Sequence, residues 1–323
     1  MTARTIFLHI GATLMVAVFL TGTVAVLVAS WSVGGGMRVP LAFAATNAST
    51  TVVIGNSAPT VTNVVLNGAA AITLTANTTT AVSVNATISD NNGCSDITGG
   101  TTTVMIYRSS VTSSTCLTTA SDLNCYRATL FTASSSCSSG TQNTTTTFNV
   151  YYFANATDAS SSFSAQNWIA TVIFRDPSNA TGSEDATGQE LNTLTALDVT
   201  TSSINYGTLS ASSTTGGTNQ ITTSTNAGNS TTTLRLSAVS TLTSGSNSIV
   251  TSSQKYASTT FTCCGNGPID LTDTPVTFAG LVLTTPTTTT NVAQEVYWGL
   301  SVAAGTATGT YNGTNLFTAL FQP

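Results

Sequence analysis

Apolar residues along this chain alternate with hydroxyl-bearing ones. Over 81–88, Val82, Val84, Ala86 and Ile88 share one face, and over 168–174 Trp168, Ala170, Val172 and Phe174 do the same. Strict alternation of this length predicts a half-buried β-strand. Similar runs predict strands over 61–66, 104–108, 125–131 and 147–153, with 72–74 continuing the first pattern. Asp90-Asn91-Asn92-Gly93 and Asp176-Pro177 read as turns that end two of these runs. Leu191, Leu194 and Leu197 recur at helical spacing, but Thr and Val flank them and no cap residue supports a helix. The stretch 191–199 is therefore predicted as a strand leaving a first domain.

The second half repeats the pattern. Strands are predicted over 204–209, 218–225, 232–238, 255–261, 276–283, 296–302 and 310–321. Val296, Trp298, Leu300 and Val302 alternate cleanly, as do Tyr311, Gly313, Asn315, Phe317, Ala319 and Phe321. Seven short strands in about 120 residues, with turn residues between them, is the density of a sandwich. No amphipathic helix is visible beyond the N-terminus. The expected fold class is all-β, two antiparallel β-sandwiches in tandem behind an N-terminal hydrophobic leader helix. The expected domains are a leader at 1–44, a first sandwich at 45–200 and a second at 201–323.

The leader rests on 10–33, a run with no charged side chain between Arg4 and Arg38. Small residues at Ala42 and Ala44 fit a signal-peptidase site, and cleavage is expected after Ala44. An uncleaved membrane anchor is the alternative, since the run is long enough to span a bilayer. Either way the rest is exported, and the membrane is touched only through the leader. The expected location is secreted or cell-surface.

Composition sharpens this picture. Of the 323 residues only 6% are charged, against roughly 25% in an ordinary soluble protein. Roughly a third are Ser or Thr, so solubility comes from hydroxyls. Short Thr runs such as 101–103 and 287–290 suit the outer faces of strands better than an O-glycosylated stalk. Seven scattered Lys and Arg and a net charge of −5 exclude nucleic-acid binding, which needs clustered bases.

The chemistry-bearing residues are few. The single histidine, His9, lies in the leader, so the exported part holds no Ser-His or Cys-His pair and no histidine zinc site. No phosphate-binding glycine motif is present. A non-enzymatic protein is expected. Cys94, Cys116, Cys125, Cys137, Cys263 and Cys264 read as disulfide candidates in an exported chain. The first four allow three pairings. Cys116 and Cys125 are close enough to staple one loop, in which case Cys94 with Cys137 closes a larger one. The adjacent Cys263 and Cys264 are either a vicinal disulfide or two thiols.

Candidate N-glycosylation sites occur at Asn47, Asn77, Asn85, Asn143, Asn155, Asn179, Asn229 and Asn312. Asp90, Asn92 and Asp96 share one loop and are the candidate calcium ligands, with Asp158, Asp176 and Asp185 in other loops able to converge on them. Plain turn chemistry explains the same residues. Lys255, the lone lysine, could form an isopeptide bond with an acid such as Glu295; an ordinary solvated strand lysine is the simpler reading. Trp168 and Trp298 read as core, whereas Tyr151-Tyr152 could offer a ring to a sugar.

The stretches 90–97, 168–172, 204–209, 226–229 with 234–236, and 298–302 with 309–314 resemble the Ser/Thr-rich, immunoglobulin-like surface proteins of bacteria and archaea. The resemblance covers most of the exported chain and is diffuse. It implies immunoglobulin-like sandwich modules and export, and it names no ligand. The chain departs from wall-anchored members in having no sortase-type signal or hydrophobic tail at its C-terminus. The expected role is structural, in a surface layer or appendage, through self-association or contact with other surface proteins. An adhesin or carbohydrate-binding module, with glycans as partners, is the alternative.

Overall fold

The computed structural model describes residues 48–131, 137–201 and 203–322, together with short strands between 19 and 40. The chain divides into two units, Met1–Gly55 and Asn56–Pro323. In the first unit, most of the predicted leader and the cleavage position after Ala44 lie outside the described residues. Where a leader helix was expected, the described backbone is strand: β1 (Phe19–Leu20) pairs with β2 (Thr23–Val24), and β3 (Ser30–Val33) with β4 (Met37–Pro40). Valine, threonine and tryptophan in these stretches favour extended backbone. No helix among the described residues is long and apolar enough to cross a membrane.

The second unit is all-β, and its strand ladders are antiparallel. Its first half holds β5 (Thr60–Leu66), β6 (Thr79–Ser89), β7 (Thr101–Arg108), β8 (Cys125–Phe131), β9 (Thr141–Tyr151), β10 (Trp168–Arg175) and β11 (Thr181–Asp185). These form a three-stranded sheet, β5-β6-β9, and a four-stranded sheet, β11-β10-β7-β8. One apolar cluster lies between them, with Val82, Val84, Ala86 and Ile88 from one sheet and Val104, Ile106, Ala170, Val172 and Phe174 from the other. The period-two pattern thus becomes the inner faces of two facing sheets. Two short helices, α1 (Cys94–Thr98) and α2 (Ser113–Thr118), interrupt the connections, and each carries a cysteine.

The second half holds β12 (Leu197–Val199), β13 (Gln220–Asn226), β14 (Thr232–Ser244), β15 (Asn247–Ile249), β16 (Gln254–Ala257), β17 (Ile269–Asp270), β18 (Val276–Leu283), β19 (Ala293–Leu300) and β20 (Asn312–Phe321). One sheet runs β12-β13-β19-β16-β17. In the other, β14 pairs with β15, β18 and β20. Leu234, Leu236, Phe278, Leu283, Val296 and Trp298 fill the space between them.

Some expected strands are absent or shortened: 72–74 keeps only a bridge at Ile72, and the strand expected over 255–261 ends at Ala257. Residues 204–209 form no ladder, yet Ile204 and Tyr206 pack against the second core. The expected strand at 191–199 is reduced to a parallel bridge between Ile72 and Leu191 and to β12. β12 pairs with β13, so second-half pairing begins before residue 200.

The two halves belong to one compact unit, and asparagines join them. The buried Asn229 donates its Nδ2 hydrogens to the carbonyls of Ala154 (3.0 Å) and Asn192 (3.2 Å), and its Oδ1 accepts the Leu194 N–H at 2.6 Å. Asn77 N–H donates to the Ala227 carbonyl at 3.0 Å. Gly228 lies directly against the Leu194 carbonyl, where a side chain would collide with backbone.

Candidate functional site

One end of the first half gathers its turn residues. β6 ends at Ser89, and the chain folds back at once. Asp90 N–H donates to the Gly140 carbonyl at 2.8 Å, while Asp90 Oδ1 accepts the Asn92 N–H at 2.8 Å, the self-closing turn expected of an aspartate at this position. Gly93 and Gly140 both take positive φ, and a side chain at Gly140 would collide with the Asp90 carbonyl. The disulfide Cys94–Cys137 fastens α1 to this end, with the Cα atoms 5.7 Å apart. From the facing sheet, β10 ends at Arg175 and delivers Asp176.

This topology brings three carboxylates together. One oxygen each from Asp90, Asp96 and Asp176 lies within 4.8 Å of the others. Asp90 and Asp176 are 5% and 3% exposed, and Asp96 is half-buried. Asp176 Oδ1 accepts the Ala180 N–H at 2.8 Å, and Oδ2 accepts from Asn56 Nδ2 at 2.7 Å. Asp90 Oδ2 is buried with no hydrogen-bond partner. Among the described residues the ion pair is Lys255 with Asp270, far along the chain, so no base neutralises the cluster. Two like charges at this spacing repel by on the order of 3 kcal/mol at an effective dielectric of about 20.

Of the expected calcium ligands, Asp90 and Asp96 meet here together with Asp176, and the neighbouring Asn92 Oδ1 accepts the Ser57 N–H at 2.7 Å. Asp158 serves elsewhere, holding the Thr193 N–H and hydroxyl at 2.6 Å each. Asp185 accepts the Thr171 hydroxyl within its own sheet.

The remaining candidates also find definite places. Cys116 pairs with Cys125, and Cys263 with Cys264 across a cis peptide. The disulfides Cys94–Cys137 and Cys116–Cys125 fit an oxidising environment. Lys255 pairs with Asp270, whereas Glu295 accepts the Tyr297 hydroxyl, so the suggested isopeptide partners are engaged separately. Trp168 and Trp298 are fully buried. Tyr152 is buried too, its hydroxyl donating to Asn291 Oδ1, and Tyr151 stacks on Phe153. Of the glycosylation candidates, Asn77, Asn85, Asn143, Asn179 and Asn312 are exposed and Asn155 is half-buried. Asn47 lies outside the described residues. Asn229 is closed to modification in the folded chain, because its amide nitrogen is buried and donated twice.

A second concavity lies where the halves meet. It is a cleft of about 380 Å³ lined by hydroxyls and amides with two rings, including Ser161, Phe163, Thr193, Thr287, Phe321 and Gln322. No lining residue is titratable, so the cleft has no group for acid–base work.

No protein-family model matches the chain, and no curated protein matches it. Among solved structures, dimeric latent PorU from Porphyromonas gingivalis aligns with 78% of this chain and 24% of its own, at 10% identity and a TM-score of 0.23. The secreted serine protease VesC from Vibrio cholerae aligns with 78% of this chain and 49% of its own, at 10% identity and a TM-score of 0.18. The chain thus spans less than half of either protein, and likenesses this distant assign it neither a fold family nor an activity.

Proposed function

We propose that this chain is a non-enzymatic, exported structural protein of immunoglobulin-like sandwich modules that associates side by side with copies of itself at the cell surface, in a layer or appendage. The observation that carries this reading is strand β20. It is ten residues long, holds no charge and no proline, and among the described residues its ladder partner is β14 alone. Its outward side chains include Leu316 at 43% and Leu320 at 41% exposure. Soluble proteins often blunt such edges with charge or proline, because an open ladder recruits another strand. The β14–β20 ladder is irregular beyond Ala238, so its regular part is 315–321 opposite 232–238. A repeating assembly uses the same open ladder as its joint. The disulfides support work outside a reducing compartment, and the hydroxyl-covered sheet faces support close packing without charge repulsion.

Sedimentation velocity of the purified chain is the test. Wild type is expected to form multimers at tens of micromolar. The double variant Leu316→Lys, Leu320→Lys is expected to stay monomeric and to melt within a degree or two of wild type, since surface changes cost about 0.5 kcal/mol or less. A wild type that remains monomeric at high concentration overturns the reading.

The junction cleft favours a second reading, carbohydrate binding. Hydroxyl and amide walls with Phe163 and Phe321 offer the hydrogen bonds and apolar faces that a sugar ring uses. A glycan array should then give signal that Phe163→Ala weakens at least tenfold; a blank array on folded protein removes this reading.

A further inference from the structure

We propose that Asp90, Asp96 and Asp176 form a calcium site, and that the bound ion pins the start of the folded unit to this end of the first half. The inference is independent of the assembly reading.

Four observations support it. Three carboxylate oxygens lie within 4.8 Å of one another. Ca²⁺ holds oxygens at about 2.3–2.6 Å, so ligands of one ion are at most about 5 Å apart. The spacing therefore matches a shared ion, whereas three bare carboxylates would move apart. The buried Oδ2 of Asp90 has no donor, and burying an unpaired carboxylate oxygen is costly unless a cation or a donor meets it. No base pairs with any of the three among the described residues. Finally, the donor set selects the metal. Only hard oxygens converge here, and the described cysteines are all in disulfides. Carboxylates with backbone oxygens and water suit calcium or magnesium and not zinc or copper. The three acids come from separate segments, and Asp176 is already tied to two nitrogen donors. Such a set tolerates the irregular, high-coordination geometry of calcium better than the strict octahedron of magnesium.

The site reaches the chain's N-terminal side directly. Asp176 Oδ2 accepts from Asn56 Nδ2, and two residues from Asp90 the Asn92 side chain accepts the Ser57 N–H. An ion that orders Asp90 and Asp176 also orders the loop acceptors that hold Asn56 and Ser57.

The test is calorimetric titration and thermal unfolding of the full chain, stripped with a chelator and supplied with calcium chloride or magnesium chloride. Wild type is expected to bind one Ca²⁺ in this region and to melt higher as calcium rises, with magnesium at least tenfold weaker. Asp90→Asn is expected to weaken calcium binding at least tenfold and, without metal, to melt at or above wild type, because it removes one of three repelling charges. A purely structural aspartate would instead lower the metal-free melting temperature while leaving calcium binding unchanged. Asp96→Asn, at a half-exposed position, provides the same readout should Asp90→Asn fail to fold. No calcium heat and no melting shift in wild type overturns the proposal, as does equal binding of magnesium or undiminished calcium binding in the variants. Limited proteolysis N-terminal to Asn56 should slow at least threefold with calcium; an unchanged rate removes the pinning role.

Discussion

Replacing Trp298 with alanine is expected to lower the unfolding free energy by about 3–5 kcal/mol, the largest single-residue loss in the second half. The indole is fully buried. Its Nε1–H donates to the Thr222 hydroxyl at 2.8 Å, so the ring joins β19 to β13 within the sheet. Its faces meet Tyr256 and Phe317, with ring centroids 5.6 and 5.8 Å away. Phe317 belongs to β20, the strand that carries the proposed joint, so the indole also links the core to that edge. Truncation leaves a cavity bordered by both rings and a buried hydroxyl without its donor. Trp298→Phe keeps most of the volume and should lose about 1–2 kcal/mol. Urea unfolding followed by far-ultraviolet circular dichroism measures both. A loss under 1 kcal/mol for the alanine variant would show that the second half is not organised around this residue.

Removing the Cys94–Cys137 disulfide, as Cys94→Ser with Cys137→Ser, is expected to cost about 4 kcal/mol on the chain-entropy argument. The bridge closes a 43-residue separation, and the entropy removed from the unfolded chain grows with the logarithm of loop length. The Cys116–Cys125 pair, nine residues apart, should be worth about 3 kcal/mol by the same relation. The longer bridge also holds α1, which carries Asp96, close to the Gly140 turn that receives the Asp90 N–H. Its loss should therefore weaken the calcium response as well as stability, whereas loss of the shorter bridge should leave that response intact. Denaturant midpoints of the two double-serine variants give the ranking. Equal losses, or a smaller loss for the longer loop, would refute it.

Strand positions show where local pattern suffices and where it does not. Residues 168–174 and 81–88 are legible as strands, because strict alternation marks an inner face on its own. Both lie within observed strands, with Val82, Val84, Ala86 and Ile88 and Trp168, Ala170, Val172 and Phe174 buried. β11, with the sequence Thr-Gly-Ser-Glu-Asp, carries no apolar alternation and so has no signal in the sequence. It is an edge strand held by its β10 ladder, not by burial. Residues 204–209 alternate well but have no ladder partner, so their apolar side chains reach the second core from irregular backbone. The helices α1 and α2 are too short for a helical period to show. The stretch 226–229 has no periodicity to mark it, yet Asn229 joins the halves through the Ala154 and Asn192 carbonyls, while Asn226 fixes the turn within the second half through the carbonyls of Ser230, Leu283 and Thr284.

By itself the sequence determined the all-β class, the hydroxyl-covered faces and the scarcity of catalytic groups. The class and the faces follow from a period of two, a property of neighbouring residues, and the scarcity of catalytic groups from composition, which needs no knowledge of which residues meet. Only the tertiary structure decided which cysteines pair, that Asn229 is sealed inside the joint, and that Asp176 joins Asp90 and Asp96 in one acidic cluster. Those outcomes depend on residues far apart in the chain meeting at the ends of different strands. Strand order and register decide such meetings, and no local periodicity encodes them.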